Sequence, residues 1–255
     1  AKKNNAPDIL IKQEYPGRED FENHFYTLLP AFRDKRYIKV DGKPFFMIYD
    51  PIGFNRVSEF IEVWRELALK NGLDGIHFVG CGSAMYKTPG SNRYNTHLIP
   101  DKEVCDYIMN LGFDAVNLNG QTRANSLAQG FVRSSVKLII KRLFNTSAAY
   151  KINQQNLNKF LFSEEDKLEY VYPTIIPNYD RTPRTNRDFI YINSTPEVFE
   201  KSIRECMGYI AKKKDEHKIV ILKSWNEWGE GNYVEPDIMY GRGYIDALSK
   251  CLNQE

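Results

Sequence analysis

The residues best suited to chemistry stand together near the end of the chain, in Ser224-Trp225-Asn226-Glu227-Trp228-Gly229-Glu230-Gly231. Two glutamates three apart on one turn would hold their Cβ atoms about 5–6 Å apart. Carboxylates that close cannot ionise independently, so one of Glu227 and Glu230 is suited to give a proton while the other takes one. Trp225 and Trp228 offer flat apolar faces for a pyranose ring, and Asn226 adds an amide for its hydroxyls. Gly229 and Gly231 let the backbone turn tightly around the pair. The structural alternative is two solvated glutamates beside two core tryptophans. Against it stands the crowding of all these residues directly after an apolar strand, since parallel α/β folds bind ligands at the carboxyl ends of their strands.

Three other segments could join this site. Glu235-Pro236-Asp237 lies one short loop downstream, where Glu235 would orient a sugar hydroxyl or cap the helix that follows. The segment from Pro177 to Arg184 follows another strand and mixes Tyr179, Asp180 and Arg184 as a hydroxyl-binding loop would; an ion-paired surface loop is the alternative. Tyr49 ends a third strand and is a candidate substrate contact. Cys81 ends a fourth but has no evident base beside it, which makes it a poor nucleophile. His77 falls within a strand pattern and reads as a core histidine. No Ser-His-Asp arrangement with its turn signature is present.

The elements that must position these residues are legible as apolar patterns. Residues 44–49, 75–80 and 218–222 are short apolar runs of the kind that parallel strands covered on both faces show. Residues 114–119 and 170–176 are weaker strand candidates, the second because Pro173 would deprive a central strand of a ladder hydrogen bond. Helices are expected over Phe21–Phe32, over Val57–Ala68 with a stop at Asn71-Gly72, after the cap Thr195-Pro196, and over Tyr244–Cys251. Alternating strands and helices define a parallel α/β arrangement. About five units are visible where a (β/α)8 barrel of about 250 residues has eight. The stretch from about 121 to 167, rich in Asn, Gln and Ser and carrying Arg133, Lys137, Lys141 and Arg142, reads as an excursion from a single domain spanning 1–255.

Composition excludes several classes. A formal charge of +2 leaves no basic excess for a nucleic-acid partner. The run Lys212-Lys213-Lys214 reads as a solvated helix end. Cys81, Cys105, Cys206 and Cys251 lack metal-ligand spacing and are expected as free thiols, with no structural metal. No apolar stretch is long enough to span a membrane, no signal peptide is visible, and no glycine-rich nucleotide-binding motif follows a strand, so no cofactor is expected.

Two runs resemble signatures of the WbsX-like proteins of bacterial polysaccharide loci, commonly labelled glycosyltransferases. They are Arg36-Tyr37-Ile38-Lys39-Val40-Asp41-Gly42-Lys43-Pro44-Phe45-Phe46 and the stretch from Ser224 to Asp237, followed by Tyr240-Gly241. The barrel of that family is similar to that of glycoside hydrolase family 99, the endo-α-mannosidases. The resemblance runs from Ile9 to Leu248 and implies a (β/α)8 barrel whose first strands precede Ile9, so that this chain holds the C-terminal two-thirds of the family domain or is a degenerate member. It also implies a retaining hydrolysis in which Glu227 deprotonates the sugar 2-hydroxyl and Glu230 is the general acid/base, a scheme distinct from two carboxylates facing each other across the scissile bond. The loop at Tyr179-Asp180-Arg181 departs from the family pattern, in which tryptophan and asparagine flank the aspartate. Three readings follow. The first is an endo-acting glycoside hydrolase on an α-mannoside or bacterial polysaccharide, periplasmic or extracellular. The second is a cytoplasmic glycosyltransferase of lipopolysaccharide, O-antigen or capsule synthesis, for which no metal-holding Asp-x-Asp is seen. The third is an inactive glycan-binding remnant. The partner in every case is an oligo- or polysaccharide.

Overall fold

Each of the five apolar runs becomes a strand of one sheet. In the computed structural model, which describes residues 14–83, 98–129, 150–184 and 189–253, β1 (Lys39–Val40) turns back antiparallel onto β2 (Lys43–Ile48). From β2 the sheet continues through parallel β3 (His77–Ser83), β4 (Ala115–Asn119), β6 (Val171–Ile175) and β8 (Ile221–Leu222). Among the described residues the main sheet holds five parallel strands, the number of units counted in the sequence, and β2 and β8 do not pair. The sheet is therefore an open half-barrel in an α/β fold. The sequence led us to expect a (β/α)8 barrel lacking its N-terminal strands; the α/β class and the shortfall of strands are seen, while a closed barrel is not among the described residues.

Openness changes what the strands bury. The three inner strands are almost wholly enclosed, whereas β2 and β8 are half-exposed, with Met47 facing outward. The runs at 44–49 and 218–222 had been expected to be covered on both faces; as outermost parallel strands they lack a neighbour to complete that cover. Residues 170–176 show the reverse. Pro173 sits opposite Leu118 in the middle of the sheet, and the Asn117 side chain supports the ladder there by donating to the Tyr172 carbonyl and to Thr174 Oγ1, both at 2.9 Å.

Helices pack on the sheet through the stripes read from sequence. α1 (Arg18–Arg33) and α2 (Val57–Lys70) bury Phe21, Phe25, Phe32, Phe60 and Trp64 together, and the Trp64 indole donates to the Phe21 carbonyl at 2.9 Å. α3 (Asp101–Asn110) presses onto β3 where Gly80 and Gly82 leave room; a Cβ at either would meet Ile108 or Val104 at 2.5–2.6 Å. α6 (Pro196–Ile210) and α7 (Gly243–Leu252) pack together over a second core containing Phe199, Ile203 and Tyr244. Thr195 caps α6 by accepting from the Val198 N–H at 3.3 Å.

Between β4 and β6 lie α4 (Gln121–Gln129), β5 (Tyr150–Asn153) and α5 (Gln154–Asn158), and β5 pairs with β7 (Phe189–Ile192) outside the main sheet. Helix α4 was not foreseen. Arg133, Lys137, Lys141 and Arg142 lie outside the described residues, as does His97. The Lys212–Lys214 run needs correction. Lys212 and Lys214 are solvated, but Lys213 is 4% exposed. Its ammonium donates to the Val171 carbonyl, and burial lowers its pKa to about 8. The four cysteines are free. Burial pushes the Cys81 thiol up to about 11, which agrees with its poor prospects as a nucleophile.

Candidate active site

All five parallel strands point their carboxyl ends the same way, so the segments after them share one edge of the sheet. Tyr49 follows β2, Gln121 follows β4, Tyr179 and Asp180 follow β6, and Lys223 follows β8. Beyond β8 the chain makes a small hairpin. β9 (Asn226–Glu227) pairs antiparallel with β10 (Asn232–Tyr233), joined by one 3-10 turn, Trp228–Glu230, and closed by Gly231 at φ +51°.

Buried asparagines fix this hairpin to the sheet. Asn232, 0% exposed, donates to the carbonyls of Asn178 (2.6 Å) and Lys223 (3.0 Å) and accepts from the Ser224 hydroxyl at 2.9 Å. The Asn178 side chain accepts from the Tyr233 N–H at 2.9 Å. The Asp180 N–H donates to the Glu230 carbonyl at 2.8 Å, which ties the β6 loop to the turn that carries the second glutamate.

On this frame the two carboxylates converge. Arg184 Nη1 lies 3.8 Å from Glu227 Oε1 and 3.4 Å from Glu230 Oε1, and Arg181 Nε lies 3.3 Å from Glu230 Oε1. Arg184 thus reaches both carboxylates, and Arg181 reaches Glu230 alone. Glu230 is the more enclosed of the pair, its side chain 19% exposed against 46% for Glu227.

Trp225 and Trp228 are half-exposed, so they are not core residues. Trp228 stacks on Tyr233 with centroids 3.7 Å apart, and its indole donates to Glu235 Oε2 at 2.7 Å. Glu235 therefore does not cap the following helix, which starts at Gly243; it holds the Trp228 ring. Asn226 is exposed beside Glu227. Asp180 accepts from the Thr182 N–H and hydroxyl, so its side chain shapes the loop that carries both arginines. Tyr179 is buried against Tyr191 with centroids 5.3 Å apart and lies under the Lys223 ammonium. Tyr49 is 89% exposed at the same edge of the sheet.

Sequence reasoning passed over Lys223, Gln121, Asn178, Asn232 and the ion-pairing role of Arg181. A lysine directly before the Ser-Trp-Asn-Glu run was the one available signal. Among the described residues no group of three metal-ligating side chains converges, and no helix is long and apolar enough to cross a membrane.

At the strand ends of this α/β half-barrel, paired carboxylates, arginines and half-exposed tryptophans gather on one edge. The chain belongs to the family described as Glycosyltransferase WbsX, which matches residues 2–248. It is 23% identical over 255 residues to the protein WxcX of two strains of Xanthomonas campestris pv. campestris, covering 97% of this chain and 32% of theirs. It thus spans about a third of the length of those relatives. Among solved structures, it is similar to one titled a glycoside hydrolase-like protein, with a TM-score of 0.62 and 15% identity over 96% of this chain and 64% of that one. A weaker likeness, with a TM-score of 0.48 and 14% identity, is to the GH99 endo-alpha-mannosidase from Bacteroides thetaiotaomicron, over 94% of this chain and 65% of that one.

Proposed function

We propose that this chain cleaves glycosidic bonds within a glycan, with retention, through Glu227 and Glu230. The observation that carries the reading is the convergence of both carboxylates on one nitrogen of Arg184, beside two half-exposed tryptophans at the carboxyl edge of the sheet. Glu227, the more open, is placed to take the proton of a sugar 2-hydroxyl, leaving an oxygen able to attack the neighbouring anomeric carbon. Glu230, the more enclosed, would give a proton to the departing glycosidic oxygen and then take one from the water that attacks the anomeric carbon. The bond from the 2-oxygen breaks in that step, and the 2-oxygen takes its proton back from Glu227. Trp225 and Trp228 supply apolar faces for sugar rings, Glu235 fixes one of them, and Asn226, Arg184 and Tyr49 offer polar contacts around the pair.

The family's description supports a second reading, transfer of a sugar from an activated donor, in which the same carboxylates would act on an acceptor hydroxyl. One experiment separates the two. The protein and its Glu230→Gln variant are incubated with α-mannans and bacterial surface polysaccharides, and newly formed reducing ends are measured. Hydrolysis requires release by the parent and a loss of at least about 10²-fold in the variant, the usual scale for removing a general acid. No release from any glycan, together with product formation once sugar donors are added, would replace hydrolysis by transfer.

A further inference from the structure

The sheet is tightly curled at its amino edge and open at its carboxyl edge. Phe45 of β2 and Tyr172 of β6 have ring centroids 6.2 Å apart, although β3 and β4 lie between their strands. On a flat sheet three strand spacings would separate them by about 14 Å. The His77 ring lies within reach of both, 6.2 Å from Phe45 and 5.9 Å from Tyr172, and bonds to the Tyr172 hydroxyl at 2.9 Å. At the other end of β2, Met47 and Tyr49 are exposed.

Two turns meet at the curled edge. Asp41 and Gly42, with φ at +48° and +75°, join β1 to β2 in the left-handed conformation that a two-residue hairpin favours. Asp215–His217 is a short 3-10 turn preceding β8. The Asp41 N–H donates to Glu216 Oε2 at 2.5 Å, and His217 Nε2 lies 3.0 Å from Asp41 Oδ2. A carboxylate only accepts, so Nε2 carries the proton of that bond. The 3-10 turn is itself tied to β6: the Lys214 N–H donates to Glu169 Oε1 at 3.0 Å and the Lys213 ammonium to the Val171 carbonyl. His217 is buried, which shields its bond from competing water.

β2 and β8 do not pair, so the ladder links them through three intervening strands, and each step of a sheet can twist. We infer that Asp41, Glu216 and His217 form a clasp across the amino edge that sets how far apart the carboxyl ends of β2 and β8 stand. They are thereby positioning residues of the site, since one wall carries Tyr49 and the other carries Lys223 and the hairpin with Glu227 and Glu230. The clasp stands on the geometry of the amino edge, and its effect on turnover rests on the hydrolytic reading above. Without it the curl relaxes toward a flatter sheet and the two walls separate. β2 spans six residues, about 20 Å, so an opening of about 10° moves its carboxyl end by about 3 Å.

The test measures that span by pulsed electron resonance between nitroxides at exposed Asn55, after β2, and exposed Met239, after the hairpin. The labels are introduced as noncanonical side chains, which spares the free cysteines. In His217→Leu the mean distance is expected to lengthen by about 3 Å, the scale of the strand lever. His217→Gln, whose amide can donate to Asp41, and Asp41→Asn, which keeps an accepting oxygen and tolerates a left-handed turn, are expected to stay near the parent. Glu216→Ala, at an exposed side chain, carries the same expectation as the leucine variant if that one does not fold. An unchanged distance in whichever of those two folds overturns the inference, as does an equal lengthening in His217→Gln, which would assign the effect to ring packing. On glycan cleavage, His217→Leu should raise KM more than it lowers kcat, because the walls separate while Glu227 and Glu230 keep their shared turn. A lengthened distance in a protein that cleaves no glycan keeps the clasp and removes the hydrolytic reading. Cleavage by the parent with an unmoved distance in the folded variants does the reverse.

Discussion

At the scale of single residues, the site depends on a backbone conformation as much as on its carboxylates. Gly231 closes the turn that carries Glu230 with φ at +51°, in the left-handed region. A Cβ placed there would meet Asp180 Cβ at 2.9 Å and the Asp180 backbone at 3.0 Å, where the Asp180 N–H holds the Glu230 carbonyl. Gly231→Ala is therefore expected to cost about 1–3 kcal/mol of stability in urea titrations, the usual scale for a strained backbone residue. It should also lower glycan cleavage by more than that loss of folded protein explains, because the β6 loop and its arginines must shift. Unchanged stability together with unchanged cleavage would mean that the Asp180–Glu230 junction does not position the pair. Sequence made this cluster visible because its members are neighbours in the chain. It could not show Lys223 meeting Gln121, 102 positions away, or Asn232 meeting Asn178, 54 away. Contacts at such separations exist only after the sheet has set its strand order.

At the scale of elements, the five parallel strands of the main sheet were legible as apolar runs, because period and length depend on the residues of each run alone, whereas the parallel pair β5 and β7 was not read. How deeply each strand is buried was not legible. Phe45 to Tyr49 is as apolar as an inner strand, yet it lies half-open next to the sheet edge, since cover depends on neighbours that the run does not encode. Pro173 misled in the other direction, because the Asn117 amide that compensates for it sits on a different strand. Lys213 misled for a similar reason: a three-lysine run at a helix end is ordinarily solvated, and the Val171 carbonyl that captures the middle one was out of view. Helix α6 shows the legible case. Thr195 and Pro196 announced its start, and the Thr195 side chain does accept from the Val198 N–H. Thr195→Ala is expected to destabilise the protein by about 1 kcal/mol, measured by urea unfolding at fixed pH. Thr195→Asp, which keeps the capping oxygen, should restore most of that loss. Equal stability of the alanine variant and the parent would mean that the packing of α6 on α7 alone secures that end.

At the scale of the whole molecule, the proposed chemistry and a pH-sensitive part of the stability occupy opposite edges of the sheet. The carboxylates, arginines and Lys223 gather at the carboxyl ends of the strands. At the amino ends, His77 begins β3 and bonds to the Tyr172 hydroxyl at 2.9 Å, with the His217 ring 6.2 Å away and His217 Nε2 3.0 Å from Asp41. His77 is 5% exposed, and burial lowers its pKa below the ordinary 6.5, with Asp114 and Asp41 opposing and His217 and Lys43 reinforcing the shift. The folded state therefore keeps His77 neutral at a pH where the unfolded chain has already taken up the proton. Whenever the unfolded state binds more protons, stability falls as pH falls. The stability that neutral His77 preserves is complete above about 6.5 and is lost as pH drops from there toward the lowered folded value. His77→Gln cannot titrate but can still bond to Tyr172. Between pH 7 and 5 its unfolding free energy should fall less steeply than that of the parent, by up to about 1.4 kcal/mol per pH unit for one proton. Urea titrations at three pH values measure the two slopes. Equal slopes would show that His77 takes up its proton as readily in the fold as out of it. A flatter slope with an unmoved pH profile of glycan cleavage would show that the two edges of the sheet titrate independently, as their separation along the strands requires.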